Sequence, residues 1–167
     1  MNYGDIKSHF NNVLNRSDIT AALTETFIDQ GIARIQRQLR TPLNENLSTY
    51  AITSRTPSVT LPNDFLEIIS LYYEDTELQR IPMSKYRAVA VSPIQGSPTT
   101  FIRQQQNLFL HPEPASGSLV LYYYAEFAPM VQDTDENTLA AVAHDLIIYA
   151  ALTYAADFYL DERAPLF

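Results

Sequence analysis

The run from Leu139 to Leu160, LAAVAHDLIIYAALTYAADFYL, constrains the fold more than any other stretch. It is the longest uninterrupted helical pattern in the chain. It holds no Gly or Pro, and its charge-capable side chains are His144, Asp145 and Asp157. Leu139, Val142, Ala143, Leu146, Ile147, Ala150, Tyr154 and Phe158 recur at three- and four-residue steps, which predicts one buried helix face. Ile148, Tyr149, Leu152 and Tyr159 place apolar atoms on other faces. A helix apolar nearly all round needs cover on several sides, so a neighbouring helix or a second subunit is expected. A membrane is not the expected cover. The charge-free run from Leu146 to Ala156 is bounded by Asp145 and Asp157, and it falls short of the ~20 residues a bilayer requires. Seven alanines, at 140, 141, 143, 150, 151, 155 and 156, allow a second helix to approach closely.

The chain of 167 residues predicts one domain, or one domain carrying an insertion. It has no cysteine, which excludes disulfides and thiolate metal sites. The N-terminus MNYGDIKSHF lacks the apolar core of a secretory signal. The net charge of −8 is uneven. Residues 1–60 carry six Lys/Arg against five Asp/Glu, whereas residues 61–167 carry five against fourteen. An acidic body argues against tight nucleic-acid binding, because phosphate contacts need clustered cations. It does not argue against a surface that DNA slides past.

In chain order, residues 3–15 predict a helix with Ile6, Phe10, Val13 and Leu14 on one side. Asn15-Arg16-Ser17-Asp18 breaks it, and Ser17 or Asp18 is placed to cap a second helix running to Arg40. The expected core side of that helix is Ile19, Leu23, Phe27, Ile35 and Leu39, and Thr41-Pro42 ends it. The period then changes. Strands are expected at Leu47–Thr53, Ser58–Leu61, Phe65–Tyr73 and Glu77–Ile81, then at Thr99–Gln104, Asn107–Leu110 and Ser118–Phe127. A short helix capped by Ser84 is expected over Ser84–Val91. The fold class is therefore α+β: a helical bundle of two N-terminal helices and one long C-terminal helix, with an inserted antiparallel β-sheet or sandwich. The expected boundaries are a single domain over 1–167, a helical layer at 3–40 and 138–161, and the β insertion at about 43–128.

Few residues invite a chemical reading. His144 and Asp145 are adjacent on a helix and so point about 100° apart. His111-Pro112-Glu113 lacks a third ligand at metal spacing. Asp133, Asp135 and Glu136 alternate like a calcium loop but lack its glycine and distal Glu, so charge complementarity at a helix N-terminus is the simpler reading. Tyr122, Tyr123 and Tyr124 alternate across a strand and place aromatics on both faces. Arg34, Arg37 and Arg40 recur every three residues as one basic stripe. No phosphate-cradling loop or nucleophile elbow is present. No catalytic residue, cofactor or metal is expected.

Four segments in order carry a resemblance: FIDQGIARIQRQLRTPLNE on the second helix, SVTLPNDFLEI from Ser58, LFLHPEP from Leu108, and LVLYYYA from Leu119 ahead of the Ala/Tyr-rich helix. Together they resemble the head-to-tail adaptor (connector) proteins of tailed bacteriophages over about residues 19–161. The resemblance implies a structural virion protein with no catalytic site. It implies a homo-oligomeric ring, usually of twelve copies, docked under the portal protein, which extends the DNA channel and offers a platform to a tail or nozzle protein. Such a ring assembles in the host cytoplasm and ends at the neck of the virion, without membrane contact. Genomic DNA would pass its acidic lumen without specific binding. Two neighbours per subunit would cover the spare sides of the last helix, with Arg34, Arg37, Arg40, Ile148, Tyr149, Leu152 and Tyr159 as interface candidates. Adaptors of this kind are expected to carry a C-terminal arm toward the portal. Here the sequence given reads Glu162-Arg-Ala-Pro-Leu-Phe at that point, so Arg163, Leu166 and Phe167 are the portal-docking candidates. The rival readings are a stopper or tail-completion ring of the same neck, and a carbohydrate- or peptide-binding module using the tyrosine strand.

Overall fold

The structure is a computed structural model and describes residues 1–92 and 94–160. It has the expected α+β character, with four helices and two four-stranded sheets among the described residues. The chain divides into two compact units. The first is Met1–Asn44 with the chain from Glu126 onward, and the second is Glu45–Ala125.

The helical unit is built on three amphipathic surfaces. Helix α1 (Tyr3–Leu14) buries Tyr3, Ile6, Phe10 and Leu14, and the Asn2 side chain caps it by accepting from Asp5 N at 2.8 Å. It ends at Asn15 in the left-handed region (φ 52), which Asn tolerates better than most residues. Helix α2 (Ala21–Gln38) starts later than expected. Its cap is Thr20, whose hydroxyl accepts from Leu23 N at 3.3 Å. Asp18 instead takes two 2.9 Å bonds from the Arg16 guanidinium. The buried side of α2 is Thr24, Phe27, Ile28, Gly31 and Ile35. Leu39 is exposed, because the helix has already ended there.

Helix α4 (Thr138–Phe158) is capped by Asn137, whose side chain accepts from Ala140 N and donates to Ala128 O, both at 2.8 Å. Its buried residues are Leu139, Ala140, Ile147, Ile148, Ala151, Leu152, Ala155 and Ala156. This corrects the expected face. Ile148 and Leu152 are core against α1 and α2, while Val142, Leu146 and Phe158 are exposed. Two causes are visible. Ala143 has non-helical dihedrals (φ −137, ψ 48), so the helical phase slips there and one periodicity cannot run through the whole stretch. Beyond the slip, the side that turns inward carries Ala151, Ala155 and Ala156 alongside Ile147, Ile148 and Leu152. A Cβ on Gly31 would stand 2.9 Å from the Ala151 backbone nitrogen, so the two backbones nearly touch. Only alanines leave room for that approach.

The second unit is a β-sandwich. Its first sheet has the order β1 (Glu45–Ile52), β8 (Gly117–Ala125), β3 (Phe65–Tyr73), β4 (Thr76–Glu77), all antiparallel. The second has the order β2 (Ser58–Thr60), β7 (Asn107–His111), β6 (Thr100–Gln104), β5 (Gln79–Arg80). The expected single strand at Glu77–Ile81 is split. β4 pairs with β3, Leu78 turns into the core, and β5 pairs with β6 in parallel in the other sheet. One buried leucine thus marks where the chain changes layer. Leu71, Leu108, Leu110, Leu119 and Leu121 fill the space between the sheets. Helix α3 (Met83–Ala90) begins after Pro82, with Ser84 inside its first turn and not at the cap. α3 has no buried residue, and Tyr86 rests on the outward ring of Phe109 at 6.0 Å between centroids.

A polar cluster closes one end of the sandwich core. The Tyr123 hydroxyl donates to Asp64 Oδ1 at 3.1 Å and accepts from Asn46 Nδ2 at 3.4 Å. Burial, then the Asp64 carboxylate, pushes the Tyr123 pKa up to about 12.

Two tests follow from this packing. Leu152→Asp places an unpaired charge in the helical core and should cost about 3–5 kcal/mol. Val142→Asp, on the exposed side, should stay within about 0.5 kcal/mol. Chemical denaturation followed by circular dichroism separates them. For Tyr123, a raised folded pKa means that its contribution is intact below the unfolded value of about 10. It is lost as pH climbs from there toward 12. Tyr123→Phe should therefore flatten the alkaline fall in melting temperature over that window.

Candidate functional site

The residues that sequence spacing grouped as chemical candidates are dispersed into structural duties. The acidic connection between β8 and α4 docks on the start of α1. Tyr3 N donates to Asp135 O at 2.8 Å and Gly4 N donates to Asp133 O at 2.9 Å. Lys7 pairs with Asp133 and with Glu25, and the terminal amine of Met1 pairs with Glu136. The Asp135 carboxylate accepts from Val131 N and Gln132 N, and these bonds hold it below the usual carboxylate range. These carboxylates are thus taken up by Lys7, the terminal amine and their own loop, and the first turn of α4 carries no acidic residue. Among the described residues, no three His, Asp or Glu side chains converge on a metal position.

Glu113 pairs with Arg55, and His111 lies within β7 as a partner of Thr100. His144 is half-buried just after the α4 phase slip, and its Nδ1 has no hydrogen-bond partner among the described residues. Asp145 beside it is exposed.

The basic stripe on α2 is not uniform. Arg34 donates to Thr153 Oγ1 of α4 at 3.2 Å. Arg40 folds back onto the end of its own helix, donating to the Gln36 and Leu39 carbonyls. Those carbonyls carry the negative end of the helix dipole, so the guanidinium acts as a C-terminal cap. Arg37 is exposed. Tyr159 is half-buried, with the Arg16 guanidinium 4.1 Å from its ring centroid and Phe27 edge-on at 6.5 Å. Arg163, Leu166 and Phe167 lie outside the described residues.

What the structure brings together among the described residues is exposed apolar surface. On α4, Val142 is exposed just before the Ala143 kink, and Leu146 and Tyr149 are exposed on the turn after it. By length and composition α4 could cross a membrane, yet its opposite side is the core against α1 and α2. On the sandwich, Leu47, Ile69 and Tyr122 are exposed around a shallow groove of about 760 Å³ on the outer face of the first sheet. Tyr122 and Tyr124 face outward there while Tyr123 faces the core, as the strand period requires. Ile69 is the extra residue of a bulge between Ile68 and Ser70, which turns its side chain outward. Strand alternation read from sequence could find Tyr122. It could not find Ile69, because the bulge is set by pairing with β8.

A search of curated proteins returns no match to the chain. The profile of the SU10 adaptor protein matches residues 1–166. That match spans both structural units, and the matched family is a structural one. The chain belongs to the SU10 adaptor protein family, a family of phage head-to-tail adaptors.

Proposed function

We propose that this chain forms a ring, of twelve copies by analogy with head-to-tail adaptors, docked beneath the portal protein at the neck of the virion. The ring extends the DNA channel and presents a platform to a tail or nozzle protein. It assembles in the host cytoplasm and acts without catalysis or cofactor. The sandwich is carried as an insertion within a single domain.

The observation that carries this reading is the exposed apolar surface of α4. Val142, Leu146 and Tyr149 lie on the outward side of a helix whose inward side is already complete core. Three large apolar side chains left exposed along a helix whose core side is complete mark a contact surface. In a head-to-tail family, the contact that covers such a surface is a neighbouring subunit. Tyr149 stays an interface residue under this reading. Arg37 offers an exposed cation beside it in role, with Arg34 and Arg40 contributing their unburied faces and Tyr159 the rim. The net charge of −8 per copy gives a channel that repels DNA phosphates and lets the genome pass.

The test mixes the chain with the portal protein of the same phage and images the complex. A ring seated directly on the portal is expected. A ring separated from the portal by another protein assigns the chain to the stopper position, and a persistent monomer in the presence of portal overturns the ring. Leu146→Asp with Tyr149→Asp should reduce ring formation by at least about tenfold while the circular dichroism spectrum stays that of the parent.

A further inference from the structure

Charge is divided between the two layers of the sandwich. The strands of the first sheet contain Glu45, Glu67 and Glu77, and the β3–β4 turn adds Glu74 and Asp75. No Lys or Arg occurs in any of these segments. The strands of the second sheet, with α3 on their outer side, contain Arg80, Lys85, Arg87 and Arg103 and no Asp or Glu. Residues 78–112 hold no carboxylate at all.

Each layer also exposes apolar side chains beside its charge. The first sheet carries the groove lined by Leu47, Ile69 and Tyr122, with Glu45, Glu74 and Asp75 on its rim. The opposite layer carries α3, where Met83, Val89 and the following Val91 are exposed together with Lys85 and Arg87. α3 buries none of its residues within the chain. An eight-residue helix with no buried residue gains little from its own fold, since helices this short are marginal without packing. A bulge spent on turning Ile69 outward likewise gains nothing inside the sandwich.

We infer that α3 of one copy docks in the first-sheet groove of the next copy, so that the sandwiches contact one another back to front around the ring. The inference rests on the ring reading and specifies one of its contacts. Two complementary patches on opposite layers of one unit are what a heterologous contact needs. An isologous dimer would instead require a single self-complementary patch. Lys85 and Arg87, which flank the side of α3 away from Tyr86, meet Glu45 and Asp75 at the rim, and the exposed Val91 after the helix meets Leu47, Ile69 and Tyr122. Rim charges of this kind set the register and choice of partner.

The test is a charge exchange between the two layers. One protein carries Lys85→Glu with Arg87→Glu, and the other carries Glu45→Lys with Asp75→Lys. All four positions are exposed, so both proteins should keep the parent circular dichroism spectrum. Each alone brings like charges together and should lose ring assembly on the portal by more than about tenfold. Mixed in equal amounts, the two satisfy every contact by alternating, and ring assembly should return. If both reversed proteins assemble like the parent, the inference is overturned while the ring stands. If both fail alone and the mixture also fails, the two patches do not meet and the inference is again overturned. If the parent itself forms no ring on the portal, the ring reading fails and takes this contact with it.

Discussion

The helical unit depends on one close approach. Gly31 of α2 lies against the backbone of Ala151 in α4, with no room for a side chain between them. That contact decides which side of α4 faces inward. Once Ala151, Ala155 and Ala156 are committed to α2, Ile148 and Leu152 follow them into the core. Burying each of these larger side chains contributes about 1.5–3 kcal/mol. Val142, Leu146 and Tyr149 are then left outside, because a helix has only one inward side. The apolar surplus of the whole helix is thereby reduced to these few exposed side chains.

The sandwich follows a different rule. Its core is ordinary alternation, with Leu119, Leu121 and Tyr123 of β8 pointing inward between two sheets. Its individuality lies on the outer faces. The first sheet is acidic and apolar, and the second is basic and apolar through α3. A monomer gains nothing from that segregation, since like charges gathered on one face repel. Surface charges of both signs are normally interspersed. Gathering them by layer makes sense where the layers face different surroundings. A polar assembly, in which every copy sees a front and a back, supplies such surroundings.

Asp133, Asp135 and Glu136 look like a ligand set when read along the chain. In three dimensions each is used by α1 and its own loop, through Lys7, backbone N–H groups and the terminal amine. The Arg34–Arg37–Arg40 stripe likewise looks uniform on a helical wheel. In the fold, Arg34 reaches Thr153, Arg40 caps its own helix, and Arg37 alone of the three is exposed. Spacing along one element says nothing of what the neighbouring element presents.

Local pattern was enough to determine the elements and the fold class. β3 could be read to its end residues, α1 to within one residue of its end, and the hairpin around Gln105-Gln106 from its polar pair between apolar runs. These depend on interactions within a few residues, which the amino-acid order states directly. The α+β class followed from the change of period at Leu43. What only the tertiary structure decided was orientation: the inward side of α4, the change of layer at Leu78, the bulge at Ile69 and the cap of α2 at Thr20. The first three are fixed by contact with a partner far along the chain, or by a slip of one residue in phase, and the cap by a local competition in which Arg16 takes Asp18. A period of 3.6 or 2 cannot report such a slip, because every residue beyond it still obeys the same period on a rotated face.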